Sequence, residues 1–586
     1  MSVPTEEGAG SLPPPPTPRL ERPPTLRPES ILTLEESLGL PRVLCALLVA
    51  RGFEDPEQAK VFLRPLLGGL HPPETLTDLP RAVTRIRLAI QRRETILVHG
   101  DYDVDGMAGT ALLFRWLRRL GGRVEAFIPN RLDDGYDLGP KGLSIAKEVG
   151  ASLLITVDCG VQAHETISRA ESSGISVIVT DHHTPGARLP AASAVLNPNR
   201  LDCPYPNKAL CGAGVAFKLC QGLGSDLGLP QEDLYPFLDL VALATIADLV
   251  SLTGENRILV RYGLRALAQT ENPGLQALTE VAELDPRGLT SGSVGFALAP
   301  RLNAVGRMGD PSMAMNLLLT DDLAEARSLA RAAEALNRER RTTDRRTLDE
   351  ALSRLAEDFD PEEDFGVVLA AEGWHPGVVG IVASRIVERI HRPTVLVALR
   401  GEVGKGSARS VPGFHLLEAI TAAGEYLERF GGHRQAAGME LRRENLVPFR
   451  EAFNREAARR LAGEDLRPSI KVDLEVQLGE MTPNLYRFMK YLGPHGVGNP
   501  RPVLLARGLV LKGPPRVVGE NHVKVRLGQG ETEMNGIGFS MADRVDPGTW
   551  GGGLVDVAFH LQENEFRGVR SLEARMRVIR PSGAAD

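Results

Sequence analysis

The sequence predicts an α/β protein in which a parallel-sheet domain is joined by a long helix to a smaller α/β domain, followed by a small β-barrel. Three patterns support this fold class. From residue 95, short β-branched segments alternate with helical stretches, which is typical of a parallel sheet covered on both faces. Residues 322–358 contain neither Gly nor Pro and predict one continuous helix. After Pro468, short strands are separated by Gly- and Pro-containing turns, as in small barrels.

Composition narrows the class of protein before any motif is considered. At roughly 150 residues per domain, 586 residues indicate three to four domains. With 42% hydrophobic and 24% charged residues, the chain is typical of a globular protein and not of a disordered or fibrous one. No apolar run reaches the roughly 18 residues of a membrane span, so we expect no membrane partner. The net charge of −7 means that any nucleic acid would have to be held by local basic patches.

The predicted elements follow in chain order. The proline-rich start predicts a disordered tail, and mostly helical periodicity follows it. Strands are then predicted at 95–99, 124–129, 153–158, 175–180 and 194–197, with helices at 107–120, 141–148 and 162–173. The resulting segments are a disordered tail (1–30), an N-terminal helical segment (31–94), a parallel-sheet domain (95–321), a long connecting helix (322–361), a smaller α/β domain (362–465) and a barrel (466–586).

Acidic residues and histidines follow the carboxyl ends of the predicted strands. They are His99, Asp101, Asp103 and Asp105 after the first strand, Asp158 after the third, Asp181, His182 and His183 after the fourth, and Asp248 at the end of an apolar helix. Because functional groups in parallel sheets gather at the carboxyl ends of the strands, we expect these side chains to lie close together. Carboxylates that close would repel one another unless a divalent cation bound them. Carboxylates mixed with imidazoles suit manganese or magnesium, and the number of ligands favours two ions.

Each of these motifs taken alone also has a structural explanation. A D-x-D pair after a strand can be a turn, Asp158 can cap the following helix, and His99 can be a core histidine with its hydrogen bonds satisfied. Another chemistry also fits the first motif, because Asp103-Val-Asp105-Gly106 resembles the start of haloacid-dehalogenase-type phosphatases. Those phosphatases have Thr where this chain has Met107 and lack the His pair, so we disfavour that interpretation.

The motif Asp181-His182-His183 resembles the DHH phosphoesterase superfamily. Segments 373–385, 406–410 and 431–438 are similar to the DHH-associated substrate-binding domain of that superfamily. Segments 300–307 (Pro-Arg-Leu-Asn-Ala-Val-Gly-Arg) and 493–500 (Gly-Pro-His-Gly-Val-Gly-Asn-Pro) resemble the RecJ family, bacterial exonucleases that degrade single-stranded DNA from its 5′ end. The resemblance covers almost the whole chain from about residue 95. It implies that the barrel is of the oligonucleotide-binding (OB) type.

The resemblance implies specific roles for the acidic and histidine side chains. The expected metal ligands are His99, Asp103, Asp105, Asp158, His182 and Asp248, with Asp158 bridging two ions. Asp101 and His183 are expected to orient these ligands, and His183 is also a candidate ligand. The expected catalytic set is Asp103, Asp105, Asp158, His182, His183 and Asp248, acting by two-metal hydrolysis in which water attacks phosphorus in line.

A second set of residues is expected to contact phosphate and DNA. Arginine binds phosphate as a planar fork, and glycine lets backbone approach it closely. The candidates are Arg301, Asn303, Arg307, Ser407, Arg409, Gly432 and His433. For Arg301 and Arg307, a salt bridge between the lobes is an alternative. Candidate residues for stacking on bases, each of which also fits a hydrophobic core, are Trp374, Phe414, Tyr491 and Phe539.

The resemblance implies a metal-dependent exonuclease that degrades single-stranded DNA 5′ to 3′ to 5′-mononucleotides, in recombination and repair. Two alternatives stay open: a phosphoesterase acting on short oligonucleotides or cyclic dinucleotides, and a DNA-binding scaffold without catalysis. Because every ligand position holds Asp or His, the sequence disfavours the scaffold. Single-stranded DNA is the expected partner, and the family suggests single-strand-binding protein and a helicase as others. Five cysteines without a C-x-x-C pair favour a reducing cytoplasm, and we expect a monomer.

Overall fold

The computed structural model describes residues 12, 15–130, 134–135, 137–542 and 553–583. The chain divides into two compact units. The first unit consists of residues 56–338 and 489–501, and the second consists of the chain up to residue 55 together with residues 339–488 and 502–586.

The strands, in chain order, are β1 (Arg19–Glu21), β2 (Thr95–Gly100), β3 (Arg123–Phe127), β4 (Ala151–Val157), β5 (Ser176–Thr180), β6 (Ala194–Leu196), β7 (Val367–Glu372), β8 (Thr394–Arg400), β9 (Val403–Arg409), β10 (Arg429–Gly432), β11 (Ala436–Arg442), β12 (Ser469–Lys471), β13 (Leu474–Glu475), β14 (Leu504–Leu511), β15 (Arg516–Val518), β16 (His522–Gln529), β17 (Thr532–Gly538), β18 (Leu554–Phe566) and β19 (Val569–Pro581).

The α-helices are α1 (Pro28–Leu38), α2 (Arg42–Ala50), α3 (Pro56–Leu63), α4 (Leu79–Gln91), α5 (Val104–Arg119), α6 (Pro140–Glu148), α7 (His164–Ser172), α8 (Gly212–Asp226), α9 (Leu238–Ala247), α10 (Gly254–Ala268), α11 (Pro273–Val281), α12 (Ser291–Ser293), α13 (Ala299–Met308), α14 (Pro311–Leu319), α15 (Leu323–Asp358), α16 (Val379–Ile390), α17 (Leu416–Ala422), α18 (Leu446–Leu461) and α19 (Pro483–Met489). A π-helical turn, Val294–Leu298, separates α12 from α13.

The sheet of the first unit has the strand order β3-β2-β4-β5-β6, and every pair of neighbours is parallel. Each of the five predicted strands is present within two residues of its expected ends, so the predicted parallel sheet is confirmed. Neighbouring residues of β2 face opposite cores. Ile96 and Val98 pack with residues of α5 and α8, while Leu97 packs with residues of α6 and α7. Burial on both faces explains why these strands are almost wholly apolar.

Three strands of this sheet end at the same level. Gly100 at the end of β2 pairs with Val157 of β4, and Val157 pairs with Thr180 at the end of β5. The residues that follow these ends therefore leave the sheet side by side. This register is what brings the acidic motifs together.

The second unit contains a mixed sheet and a barrel. The mixed sheet has the order β10-β11-β9-β8-β7, in which β7 and β8 are parallel and the other neighbours antiparallel. The barrel has the order β13-β14-β18-β19-β17-β16-β15, and an additional pairing of β14 with β16 closes it. The smaller α/β fold and the barrel are therefore as predicted. Strands β15, β17 and β19 are not among the predicted strands, although the alternation of Leu572, Ala574, Met576 and Val578 with polar residues in β19 is typical of a half-buried strand.

The N-terminal segment differs from the prediction. β1 pairs in parallel with β12, and Leu20 is 3% exposed in a cluster with Val472 and Leu505. Helix α1 then begins at Pro28. The disordered tail predicted for residues 1–30 is therefore wrong for this part, because one buried leucine and one strand pairing hold a proline-rich segment in place. Residues 1–11 and 13–14 of that prediction lie outside the described residues.

Segment 489–501 is also placed differently from the prediction. The sequence assigns it to the barrel, but it belongs to the first unit. Arg257, which is 2% exposed, donates hydrogen bonds to the backbone carbonyls of Tyr491, Leu492 and Pro494. A buried guanidinium needs acceptors, and this segment supplies them. Residues 323–358, in contrast, form the single helix α15 as predicted.

The five cysteines are all buried and have free thiols. This agrees with the lack of paired cysteine motifs in the sequence. In the part of the chain that the structure describes, no helix combines the length and the apolar character that crossing a membrane requires.

Candidate metal centre

The first acidic loop connects β2 to α5. Asp103 precedes the helix, and its Oδ1 accepts hydrogen bonds from the backbone N–H groups of Asp105 (2.9 Å) and Gly106 (3.1 Å). This cap satisfies N–H groups that the first turn of a helix leaves without intrahelical acceptors. A Cβ at Gly106 would lie only 2.4 Å from the backbone nitrogen of Asp101. Capping and close packing therefore fix three carboxylates around one turn.

Asp158 follows β4 in a left-handed backbone conformation, with φ of 62°. Gly212, the first residue of α8, leaves room for it, because a Cβ at residue 212 would lie 2.5 Å from the Cβ of Asp158. The N–H groups of Gly212 and Ala213 donate hydrogen bonds of 2.6 and 2.8 Å to the carboxylate of Asp105. The start of α8 therefore positions two carboxylates, and the helix dipole stabilises their negative charge.

Asp181, which the sequence places at a strand end but to which it assigns no ligand or catalytic role, organises the histidine pair. Its Oδ1 accepts hydrogen bonds from the N–H groups of His182 (2.7 Å) and His183 (3.0 Å) and lies 2.8 Å from Nδ1 of His183. Its Oδ2 accepts a hydrogen bond from the N–H of Val161. The position of Asp181 between a strand end and two histidines is the signal that could have identified it.

Two asparagines, also not predicted, hold the main chain of the pair. The side-chain amide of Asn197 donates to the carbonyl of His183 (2.8 Å), and that of Asn199 donates to the carbonyl of His182 (2.6 Å). Both asparagines follow β6, the next strand of the sheet, so the rule that placed the acidic motifs would have found them.

The structure brings the acidic and histidine side chains together at the edge of the sheet. Potential ligand atoms that lie within 4.8 Å of one another form three groups: Asp158, His182 and His183; Asp105, His182 and Asp248; and Asp101, Asp103 and Asp158. Nε2 of His182 lies 3.0 Å from Oδ1 of Asp158. The same nitrogen lies 3.7 Å from Asp248 and 3.8 Å from Asp105. Because Asp158 and His182 each belong to two groups, the cluster is large enough for two neighbouring cations.

Burial and repulsion shift the pKa values of this cluster. Burial and then the neighbouring carboxylates raise the pKa of Asp158 well above its usual value and raise that of Asp248 to about 8. Burial lowers the pKa of His182, which keeps its imidazole neutral. Burial alone would also lower the pKa of His183, but the hydrogen bond and charge of Asp181 outweigh it and raise this pKa to about 9. The carboxylates are therefore unfavourable as bare charges.

The donor atoms of the cluster fit a divalent cation. Oδ1 of Asp158, Nε2 of His182 and Oδ2 of Asp248 are buried, and none of them makes a hydrogen bond within the described chain. Such atoms cost free energy unless a ligand binds them. Carboxylate oxygens mixed with imidazole nitrogens suit Mn²⁺ or Mg²⁺ better than a metal that prefers thiolates.

His99 does not join any of these groups. Its ring is fully buried, with Nδ1 3.7 Å from Sγ of Cys159 and Nε2 2.6 Å from the position of a Cβ on Gly142. Burial lowers the pKa of His99 to about 4. We therefore correct the prediction that His99 is a metal ligand, because its ring packs against Cys159 and Gly142 and belongs to none of the three groups of ligand atoms. Burial also raises the pKa of the Cys159 thiol, in agreement with a packing role.

Helix α13 carries three of the predicted phosphate contacts, Arg301, Asn303 and Arg307. It packs on the acidic loop, because a Cβ at Gly306 would lie 2.6 Å from the carbonyl oxygen of Tyr102. Arg301 is 7% exposed and its Nη1 donates to the carbonyl of Ala297 at 2.6 Å. Its Nε lies 2.7 Å from the carboxylate of Glu334. Arg301 therefore forms an ion pair, but its partner on α15 lies inside the same unit, so this is not the salt bridge between the lobes considered as an alternative.

The remaining predicted phosphate contacts lie together in the second unit. Ser407 and Arg409 are on β9, Gly432 ends β10, and His433 follows it. β11 lies between the two strands, and its Gly438 pairs with both Ser407 and Gly431. A Cβ at Gly380, at the start of α16, would lie 2.9 Å from Nη2 of Arg409. The glycines leave backbone accessible beside a guanidinium and a hydroxyl group.

The four aromatic candidates for base stacking divide into two pairs. Trp374 and Phe414 are 3% and 1% exposed, so they are core residues and the stacking prediction is wrong for them. Tyr491 and Phe539 are 38% and 44% exposed. The guanidinium carbon of Arg575 lies 5.0 Å from the centre of the Phe539 ring.

Comparison with known sequences identifies relatives along the whole chain. Three family models match it: the DHH family, N-terminal domain (95–245), the DHHA1 domain (364–459) and the RecJ OB domain (472–577). The chain is 37% identical over 542 residues to the single-stranded-DNA-specific exonuclease RecJ of Bacillus subtilis, covering 92% of this chain and 68% of that protein. It is 38% identical over 558 residues to the Escherichia coli protein of the same name, covering 91% and 95% of the two chains.

Solved structures agree with the sequence relatives. The crystal structure of RecJ in complex with Mn²⁺ from Thermus thermophilus matches with a TM-score of 0.82 and 34% identity, covering 96% of this chain and 80% of that one. The Mg²⁺ complex from the same organism matches with a TM-score of 0.78 and 33% identity, covering 96% and 78%. The chain therefore belongs to the RecJ family and carries the DHH, DHHA1 and RecJ OB domains in that order.

Proposed function

We propose that this protein is a metal-dependent exonuclease that degrades single-stranded DNA 5′ to 3′, releases 5′-mononucleotides and acts in recombination and repair. The observation that carries the proposal is the cluster around His182, whose ligand atoms lie within 4.8 Å of one another. Relatives that match 92% and 91% of this chain are named single-stranded-DNA-specific exonucleases, which supports the substrate.

Asp103, Asp105, Asp158, His182 and Asp248 would hold two Mn²⁺ or Mg²⁺ ions, and Asp158 could contact both because it belongs to two of the three ligand groups. When bound, two such ions lower the pKa of water and stabilise charge on phosphoryl oxygens. Neutral His182 offers the lone pair of Nε2, which carries no competing hydrogen bond in the described chain.

Two further side chains support this ligand set. Asp101 shares a group with Asp103 and Asp158, and so lies close enough to orient them. His183 is fixed through Nδ1 by Asp181, and the same nitrogen lies 3.8 Å from Oδ1 of Asp158.

Arginine and backbone groups hold the phosphates of the strand. In the first unit, Glu334 and Ala297 fix two nitrogens of Arg301, so its guanidinium is ordered before DNA binds. Asn303 and Arg307 lie on the same helix and contribute to the same contact surface. In the second unit, the phosphate contacts are Ser407, Arg409, Gly432 and His433.

Along the chain, we assign catalysis to residues 95–321, substrate binding to 362–465 and DNA binding to the barrel in 466–586, apart from segment 489–501. Helix 322–361 connects the α/β domains, and 31–94 is the N-terminal helical segment. The OB match supports the DNA-binding role of the barrel. We also propose a cytoplasmic location, which the cysteine pattern favours, and a monomeric state. Partnership with single-strand-binding protein and a helicase rests on the family resemblance alone.

A single strand of DNA labelled at either end tests the proposal. With Mn²⁺ and the full chain, the 5′ label is expected to leave at once as a mononucleotide, whereas the 3′-labelled strand shortens progressively. A chelator should abolish both reactions. Asp158→Ala should lower the rate by at least about 1000-fold, whereas Asp285→Ala, which removes an exposed carboxylate outside the cluster, should leave it unchanged.

The same assay separates the two alternatives. Cleavage of a dinucleotide while the long strand survives would replace the proposal with a small-substrate phosphoesterase. Binding of the long strand without cleavage, and without bound metal by elemental analysis, would replace it with a DNA-binding scaffold.

A further inference from the structure

Phe296 is a phenylalanine that the fold leaves in solvent, with 84% of its surface exposed. It lies in the π-helical turn Val294–Leu298, whose two end residues are fully buried. The turn therefore packs one face into the core and presents the Phe296 ring on the other. Single π-helical turns within helices occur frequently at functional sites.

The neighbours of Phe296 in the turn connect it to two parts of the proposed active site. A Cβ at Gly295 would lie 3.4 Å from the side chain of Ile246, which belongs to the last turn of α9 just before Asp248. On the other side, the carbonyl of Ala297 accepts the hydrogen bond from Nη1 of Arg301. Phe296 therefore lies between a segment that carries a metal ligand and a segment that carries a phosphate contact.

Two more exposed apolar side chains lie on segments bound to the same region. Leu249 directly follows Asp248, has a left-handed backbone with φ of 59° and is 70% exposed. Val497 is 50% exposed, and its carbonyl accepts a hydrogen bond of 2.8 Å from the N–H of Leu252. The hydroxyl of Ser291, the first residue of α12, donates a hydrogen bond to the carbonyl of His495. This bond joins the segment that carries Val497 to the helix that precedes the π-helical turn.

We propose that Phe296, together with the exposed Leu249 and Val497 on segments bound to the same region, forms a stacking surface for a nucleobase of the single strand beside the scissile phosphate. The inference rests on the proposed function and adds a base contact to the phosphate contacts. An aromatic ring can stack on any base, because every base has a π face, so such a contact is tolerant of sequence. In duplex DNA that face is covered by neighbouring bases and the base is paired, so a contact of this kind favours single strands.

The position of this surface indicates that a nucleobase binds to it. The turn that carries Phe296 touches both segments, through Gly295 to Ile246 and through Ala297 to Arg301, so a DNA strand bound at Asp248 and Arg301 would run past Phe296. A DNA strand alternates charged phosphates with flat, apolar bases. The surface likewise places the charged groups of Asp248 and Arg301 on either side of the apolar ring of Phe296 in the chain of contacts. A protein partner would instead have to occupy the space that the strand needs.

The test compares strands that carry a normal base or an abasic site at each of the first five nucleotides. For wild-type protein, kcat/KM should fall about 5- to 150-fold when the base that stacks on Phe296 is missing. For Phe296→Ala, the normal strand should be slowed by the same factor, and the abasic strand should be no worse than with wild type. Phe296→Tyr should restore the discrimination, because it keeps the ring. Leu66→Ala, which truncates another exposed apolar residue of the same unit, should behave as wild type.

Binding of the strand, measured under conditions that prevent hydrolysis, provides a second test. With chelator present, 2-aminopurine at the position found in the abasic scan should lose fluorescence on binding wild type and Phe296→Tyr but not on binding Phe296→Ala. Equal effects of Phe296→Ala on normal and abasic strands would overturn the proposal in favour of a structural role. Discrimination unchanged in Phe296→Ala would also overturn it. Failure of wild type to cleave or bind any single strand would overturn the proposed function, and this inference with it.

Discussion

Gly212 and Asp158 are packed so closely that a Cβ at residue 212 would lie 2.5 Å from the Cβ and 2.8 Å from the Cα of the aspartate. The N–H of the same glycine donates a hydrogen bond of 2.6 Å to Asp105. One residue without a side chain thus lets the start of α8 approach two carboxylates of the candidate metal centre. The spacing of those carboxylates depends on that approach.

Gly212→Ala is therefore expected to lower activity without unfolding the protein. The added methyl group must displace either Asp158 or the start of α8, and a displacement of about 1 Å at an active site costs on the order of 100-fold in rate. The concentration of Mn²⁺ at half-maximal rate should also rise. Gly224→Ala is the matched control, because it lies on the same helix and its Cβ would meet Trp116 at an ordinary contact distance of 3.4 Å. Wild-type Mn²⁺ dependence in Gly212→Ala would contradict the positioning role.

The raised pKa values predict how the metal-free protein responds to pH. An aspartate normally has a pKa of about 4, whereas burial and repulsion raise that of Asp158 well above this value and that of Asp248 to about 8. The folded state therefore binds these protons more tightly than the unfolded chain does. Their contribution to stability is favourable at low pH and is lost as the pH rises from about 4 to about 8.

Asp158→Asn isolates this contribution, because the amide does not ionise. In the presence of chelator, the melting temperature of the variant relative to wild type should increase between pH 5 and pH 8. Adding Mn²⁺ at pH 8 should stabilise wild type more than the variant. A difference between the two proteins that stays constant across this pH range would show that Asp158 is not the titrating group.

The sequence predicts the acidic cluster because strand ends obey a simple rule. Gly100, Val157 and Thr180 pair in register, so the residues that follow them lie together at one edge of the sheet. The rule does not say where a side chain points. His99 satisfies the same rule within its strand, yet its ring turns toward Gly142, whose missing side chain leaves room for it.

Other parts of the molecule depend on contacts that leave no periodic pattern. Segment 489–501 joins the first unit because buried Arg257 needs carbonyl acceptors, and backbone carbonyls carry no signature in a sequence. The π turn that exposes Phe296 reads as ordinary helix, since its apolar residues have helical spacing. Strand β1 is not predicted, because only one of its side chains, Leu20, is buried and a single apolar residue gives no pattern.

Segment 489–501 also supplies a prediction about Asp248. Gly498 has a left-handed backbone with φ of 72°, and a Cβ there would lie 2.2 Å from Oγ of Ser251, three residues after the aspartate. Gly498→Ala should therefore move the loop that follows Asp248 and raise the Mn²⁺ concentration at half-maximal rate. Gly508→Ala is the matched control, because φ is 63° and no atom lies within 4 Å of its Cβ position.

Both glycine variants carry the same backbone cost of about 1–2 kcal/mol for a left-handed alanine. The melting temperature should fall in both variants, and further in Gly498→Ala because of the added contact with Ser251, but only Gly498→Ala should change the Mn²⁺ dependence. Equal Mn²⁺ dependence in the two variants would show that the loop does not position Asp248.

A basic row on the barrel predicts how long strands are bound. Arg516 of β15 pairs with Lys524 of β16, which lies opposite Ile537 of β17, which in turn lies opposite Arg575 of β19. The pairing register places these side chains on one face, because residues directly opposite in a sheet point the same way. Deleting residues 468–586 would not test this face alone, because it also removes segment 489–501 from the first unit.

Charge reversal of single residues is the cleaner experiment. Each of Arg516→Glu, Lys524→Glu and Arg575→Glu should weaken binding of a long single strand and reduce the slope of log K against log salt by about 0.7 for the phosphate contact it removes. Hydrolysis of a dinucleotide should be unchanged, because the metal ligands are untouched. Arg570→Glu makes the same charge change at an arginine that pairs with Glu565, and it should leave the slope as in wild type. If all four variants weaken binding equally, the effect comes from net charge, and the row is not the path of the strand.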